Sequence, residues 1–166
     1  MRKLIFAMVL LMASCVTTKI SSNKAPDFNG KIERLYIVAK GADEAKSFFV
    51  RFYQSFGQSL KTEGIVTEYY YFDPLSLEGE SAVISKIEAF SPSMVMMINQ
   101  TEARNYQQYW SSSNTGGTFD IRIQVPESKN PIWRASLKAD ASMGLGEAAQ
   151  KASNTLLTKL KEDQML

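Results

Sequence analysis

The chain has 166 residues with 19 Lys and Arg against 17 Asp and Glu, a formal charge of +2; 45% of it is hydrophobic, 22% charged and 11% aromatic. That balance is globular and suits one packed domain of ordinary size. There is no histidine and one cysteine, which excludes histidine acid–base chemistry, Ser-His-Asp and Cys-His nucleophilic sites, and Cys/His zinc sites; no metal or cofactor is expected.

Arg2 and Lys3 precede an apolar run from Leu4 to Ala13, the charged and hydrophobic regions of an export signal. A run of that length makes about 15 Å of helix, half of what a hydrocarbon core demands, so residues 1–14 are expected to be a cleaved signal peptide. Ala13-Ser14 directly before Cys15 resembles a bacterial lipobox, which implies that Cys15 becomes the lipid-bearing N-terminus. A lone thiol in an exported chain has no disulfide partner, and lipidation accounts for it. Several acyl chains on one cysteine, at about 0.8 kcal/mol per buried methylene, make a lasting anchor. In such lipoproteins Asp after the cysteine resembles an inner-membrane retention signal; here that position is Val16, so the outer membrane, facing the periplasm, is expected. Cleavage removes Arg2 and Lys3 and leaves 17 basic and 17 acidic residues, a formally neutral chain with no nucleic-acid partner implied.

Residues 15–30 are small and polar and predict a flexible, lipid-anchored tether with an end-to-end distance of about 20 Å, leaving 31–166 as the folded domain. Ile32–Ala39 reads as a strand. Ala45, Phe48, Phe49, Phe52, Phe56 and Leu60 form one apolar stripe at helical spacing, with Gly64 suited to the C-cap. Ile65–Phe72 is β-branched and aromatic and stops at Asp73-Pro74; Glu80–Phe90 predicts a second helix ended by Pro92. Met94–Ile98 is a continuous apolar run, the pattern of a central strand buried on both faces. Phe119–Val125 and Trp133–Asp140 alternate apolar with polar and are joined by a short connector, an antiparallel hairpin with one wet face. A last helix, Gly146–Glu162, should cover the sheet. The order β-α-β-α-β-β-β-α defines an α/β (α+β) domain with a single mixed sheet and helices packed on it.

Gly144-Leu145-Gly146-Glu147-Ala148-Ala149 spells a dinucleotide fingerprint, but a strand and an acidic residue about 20 positions on should follow it; a turn and helix cap are expected instead. Asn99-Gln100-Thr101 is a glycosylation sequon by spelling alone. Glu78/Glu80 and Glu63/Glu68 are the carboxylate pairs a hydrolase would need, and nothing in their spacing singles either out. Ala103–Gly117 sets Tyr106, Tyr109 and Trp110 among Ser, Asn and Gly. It is either an exposed surface for a protein partner or a sugar, or an extension of the flanking strands into a long hairpin with the aromatics folded back.

With the lipobox at Cys15, the apolar run Pro92–Ile98 and the late segment Ile132-Trp133-Arg134, the chain resembles small envelope lipoproteins with a compact α/β domain. That group includes the TolB amino-terminal domain, the lipopolysaccharide-translocon accessory lipoprotein and the synthase-activating lipoproteins. The resemblance implies a non-catalytic accessory or scaffold, not an enzyme, anchored to the membrane and bound to an envelope protein; fold alone does not fix function. Glycan or lipid binding is the alternative and would need a concave aromatic pocket; a carboxylate hydrolase is a third.

Overall fold

The computed structural model describes residues 18–73, 78–108, 111–140 and 144–166. The signal peptide, Cys15, Tyr109 and Trp110 lie outside them. In chain order the elements are β1 (Thr18–Lys24), β2 (Arg34–Lys40), a 3-10 turn (Asp43–Ala45), α1 (Lys46–Thr62), β3 (Val66–Phe72), α2 (Glu80–Phe90), β4 (Met94–Gln108), β5 (Ser111–Gln124), β6 (Trp133–Ala139) and α3 (Leu145–Glu162). The strands form one mixed sheet in the order β1-β6-β5-β4-β2-β3. The parallel pairs are β2–β3 and β2–β4; β4–β5, β5–β6 and β1–β6 are antiparallel. Mixed sheet, helices and the pairing sense of the central strands are as the sequence predicts.

One expectation is overturned. Thr18–Lys24, taken as part of a flexible tether, is strand β1 and pairs with β6 from Thr18 opposite Ala139 to Lys24 opposite Trp133. Its composition is polar, with Ile20 its only large apolar side chain, because one side of an edge strand faces solvent and the other is half-buried against the end of α3. The folded domain therefore includes Thr18–Lys24 and does not begin at residue 31.

The inner face of the sheet carries Leu35, Ile37, Met96, Ile98, Phe119, Ile121, Ile123, Trp133 and Leu137, all nearly fully buried. Against it lie α1, through the stripe from Phe48 to Leu60, and α3, whose Ala148, Ala149 and Ala152 let the two helices approach closely. Gly64, at φ +80, turns the chain from α1 into β3 while Ile65 N–H donates to Leu60 O at 2.9 Å. The β2→β3 and β3→β4 crossovers run in opposite directions across the sheet, and right-handed connections then place α1 and α2 on opposite faces. Among the described helices α2 is accordingly the one on the outer face, with only Val83 and Phe90 of its residues buried.

β4 and β5 continue well past the sheet as a two-stranded arm, paired as far as Gln108 opposite Ser111. Of the two readings of 103–117, strand extension is the one the backbone adopts. A bulge between Gln100 and Glu102 marks where the arm leaves the sheet, and Gly117 pairs with Ala103 just beyond it. A Cβ there would meet the Glu102 carbonyl oxygen at 2.4 Å, so the bulge accepts only glycine.

Candidate functional site

The outer face divides into two halves. Under α2 lies a groove of about 630 Å³, floored by Val38 of β2 and Val95 and Met97 of β4, and walled by Val83, Ile84 and Ile87. Met97 is thus half-buried groove floor, where the apolar run predicts burial on both faces. Lys40 stands at one end, its Nζ 5.1 Å from the Phe72 ring centroid, and Glu80, Glu88 and Glu127 stand on the rim. α2 is held at its ends. Arg34 Nη2 donates to Phe90 O at 2.7 Å and the guanidinium Cζ lies 4.5 Å from the Phe90 ring centroid, while Lys86 Nζ meets Glu78 Oε2 at 2.6 Å. Between these ties Ile84 is 54% exposed, an apolar side chain with no core to fill.

The other half, on β5, β6 and β1, is polar and follows the ladder in rungs. Thr118, Lys138 and Lys19 form the first, Asp120, Ser136 and Ser21 the second, and Arg122, Arg134 and Asn23 the third. Asp120 accepts from Arg122 Nε at 2.7 Å and from Arg134 Nη2 at 3.2 Å. Partial burial works to raise its pKa, and the hydrogen bonds from the two arginines outweigh it, so the carboxyl is held below its ordinary range.

The structure does not bring the candidate carboxylate pairs together. Glu78 is bound by Lys86 and by the Tyr70 hydroxyl at 3.3 Å, and the Lys86 hydrogen bond holds its pKa low, whereas Glu80 belongs to the groove rim. Glu63 pairs with Lys161 of α3 at 2.6 Å, while Glu68 is exposed on β3 in register with Tyr36. Among the described residues no group of three or more His, Cys, Asp or Glu is placed to hold a metal ion. Gly144, at φ +119, caps α3 and accepts from Ala148 N–H at 3.2 Å; β6 before it is antiparallel to both its neighbours, which is not the first strand of a dinucleotide-binding unit. Tyr106 lies on the arm, with its backbone paired to Ser113. No helix among the described residues is long and apolar enough to cross a membrane.

No protein-family model and no curated protein sequence matches the chain. Solved structures share its fold. The PelC dodecamer from Paraburkholderia phytofirmans is similar with a TM-score of 0.58 at 11% identity, over 87% of this chain and 97% of that one. A point variant of that PelC, also a dodecamer, gives 0.59 at 12% identity over 90% and 100%. Lipoprotein GNA1162 from Neisseria meningitidis gives 0.43 at 14% identity, over 76% of this chain and 99% of that one. The chain therefore has the PelC fold, an α+β domain with helices on both faces of one mixed sheet, at an identity that carries fold alone.

Proposed function

We propose that this protein is a lipid-anchored lipoprotein of the bacterial cell envelope, on the outer membrane facing the periplasm, and acts there as a non-catalytic accessory or scaffold in an envelope assembly. The observation that carries this is the position of β1. It begins at Thr18, three residues after the lipobox cysteine, so the sheet is joined to the anchor by at most about 10 Å of extended chain instead of a long tether. The anchor then fixes both distance and attitude, as a component built into an assembly requires. The PelC fold adds support, since PelC itself assembles as a dodecamer.

Cys15→Ala should move the protein from the membrane fraction to the soluble one. Crosslinking followed by mild detergent extraction should recover one envelope protein with the native chain and none with the variant. Tyr109 and Trp110 are the proposed contact: Tyr109→Ala with Trp110→Ala should abolish capture and leave the melting temperature nearly unchanged, and a large loss of stability would instead mark them as core. Capture that survives loss of the arm aromatics would remove them from the interface.

The groove favours a second reading, binding of a glycan or lipid. Its volume and apolar floor fall in the range of ligand sites. Ile84→Glu would then weaken retention of the ligand at unchanged stability, because Ile84 is already exposed.

A further inference from the structure

The outer face of β5, β6 and β1 carries a charge pattern that folding does not call for. Lys19 stands directly opposite Lys138, and Arg122 directly opposite Arg134, with all four side chains exposed. Like charges directly across two strands oppose their pairing. Lysine on a sheet edge guards against stray strand addition, which accounts for Lys19 on β1. It does not account for Lys138, Arg134 and Arg122, whose strands have neighbours on both sides. Carboxylates share the face, and Asp140, two positions after Lys138, continues the polar alternation of β6. Asp120 binds both arginines, and Glu102 accepts from Thr118 Oγ1 at 2.9 Å. Lys19 and Lys138 form no ion pair among the described residues, so on a chain that is formally neutral without residues 1–14 this face keeps a cationic excess.

We infer that this face docks on the anionic headgroups of the membrane that carries the anchor, with Lys19 and Lys138 meeting lipid phosphates and Arg122 and Arg134 extending the contact. The inference rests on Cys15 as the anchor, because Lys19 follows it by four residues, at most about 14 Å of extended chain. Charges at that surface lie within about one screening length, 8 Å at physiological ionic strength, where Coulomb attraction survives. The anchor supplies residence and the cations supply orientation. The Lys19–Lys138 pair, unfavourable in the free domain, becomes favourable once a phosphate lies between the two, whereas Asp120 already bridges the arginines.

The test uses the chain from residue 15 with Cys15→Ser, which keeps every described element because the first begins at Thr18. It is sedimented with vesicles of phosphatidylcholine alone and of phosphatidylcholine with phosphatidylglycerol. Binding is expected to the anionic vesicles only, and to vanish near 1 M salt, where the screening length is about 3 Å. One basic residue near an anionic surface multiplies partitioning about fivefold, so Lys19→Gln with Lys138→Gln should weaken binding about 25-fold. The melting temperature should hold or rise, since a repulsive pair is gone. Lys46→Gln with Lys61→Gln, exposed on α1 across the sheet from this face, is the charge-matched control and should bind as the parent does. Equal binding to both vesicle types, or a double variant no weaker than its control, overturns the inference. Binding to soluble dextran sulfate but not to vesicles also overturns it and assigns the face to an acidic polymer. The anchor is judged separately by the mass of Cys15 in protein from cells: an unlipidated cysteine with vesicle binding intact sinks the anchor, and a lipidated one without vesicle binding sinks the face.

Discussion

Phe119→Ala should destabilise the domain by about 3–5 kcal/mol and lower its melting temperature by about 10 °C or more. Phe119 is 1% exposed at the centre of β5, stacked on Phe48 at 4.9 Å and 6° and edge-on to Phe49 at 5.5 Å. These rings join α1 to the middle of the sheet, and the removed volume is bounded by two side chains of a helix that β3 and α3 already hold in place. The cavity cannot collapse easily, which puts the cost at the upper end for its chemistry. Phe119→Leu, close in volume, should cost less than about 1.5 kcal/mol. Urea unfolding of the three proteins measures both numbers. A loss under about 1 kcal/mol for the alanine variant would show that α1 shifts to refill the space and that the aromatic layer does not set the packing.

The aromatic layer was legible because helical and strand periodicities place it on two elements that must face each other: Phe48, Phe49 and Phe52 recur at three and four residues, and Phe119, Ile121 and Ile123 alternate. β1 was not. Thr18–Lys24 has one large apolar side chain, and a strand specified by its partner and by contacts from residues 140 positions away leaves no local signal. The arm was open for a related reason, since Ser111–Gly117 has turn composition and becomes strand only because β4 pairs it. The cationic face was half visible. Alternation in β5 and β6 shows that Arg122, Arg134 and Lys138 are on the wet side, but their pairing depends on register, and Lys19 joins them only once β1 exists. The groove was hidden for another reason. Val83, Ile84, Ile87 and Phe90 carry the helix in the sequence, but periodicity does not say how many of them find a core, and the structure buries only the first and last.

Asp163→Ala should cost about 2–3 kcal/mol at neutral pH, the price range of stranding a buried donor whose partner was charged. Asp163 ends α3 and stitches it to the sheet. Its Oδ2 accepts from Ser22 Oγ of β1 at 2.5 Å and from Trp133 Nε1 of β6 at 2.7 Å, its Oδ1 lies 3.1 Å from Lys159 Nζ, and its carbonyl accepts from Lys24 Nζ at 3.0 Å. Alanine leaves the indole N–H of Trp133, 1% exposed, without an acceptor and takes the acceptor from Ser22 of β1. Partial burial works to raise the Asp163 pKa, and hydrogen bonds from Ser22, Trp133 and Lys159 outweigh it, so the folded value lies below the unfolded one, about 3.9. A depressed carboxyl stabilises the fold fully above its unfolded pKa, and that part is lost as pH falls through the lower folded value. The gap between parent and variant should therefore be constant above about pH 5 and narrow below about pH 4. It should not close, because a protonated carboxyl still accepts from the indole. Taking the difference removes the similar contribution of Asp120, which both proteins share. Hydrogen exchange should quicken first around Ser22 of β1, which loses its tie to the carboxylate, while Lys24 keeps its bond to the backbone carbonyl of residue 163. A gap that stays constant to pH 3 would mean that the ionised carboxylate is no better a partner than a neutral acid, and that the junction of β1, β6 and α3 is held by shape alone.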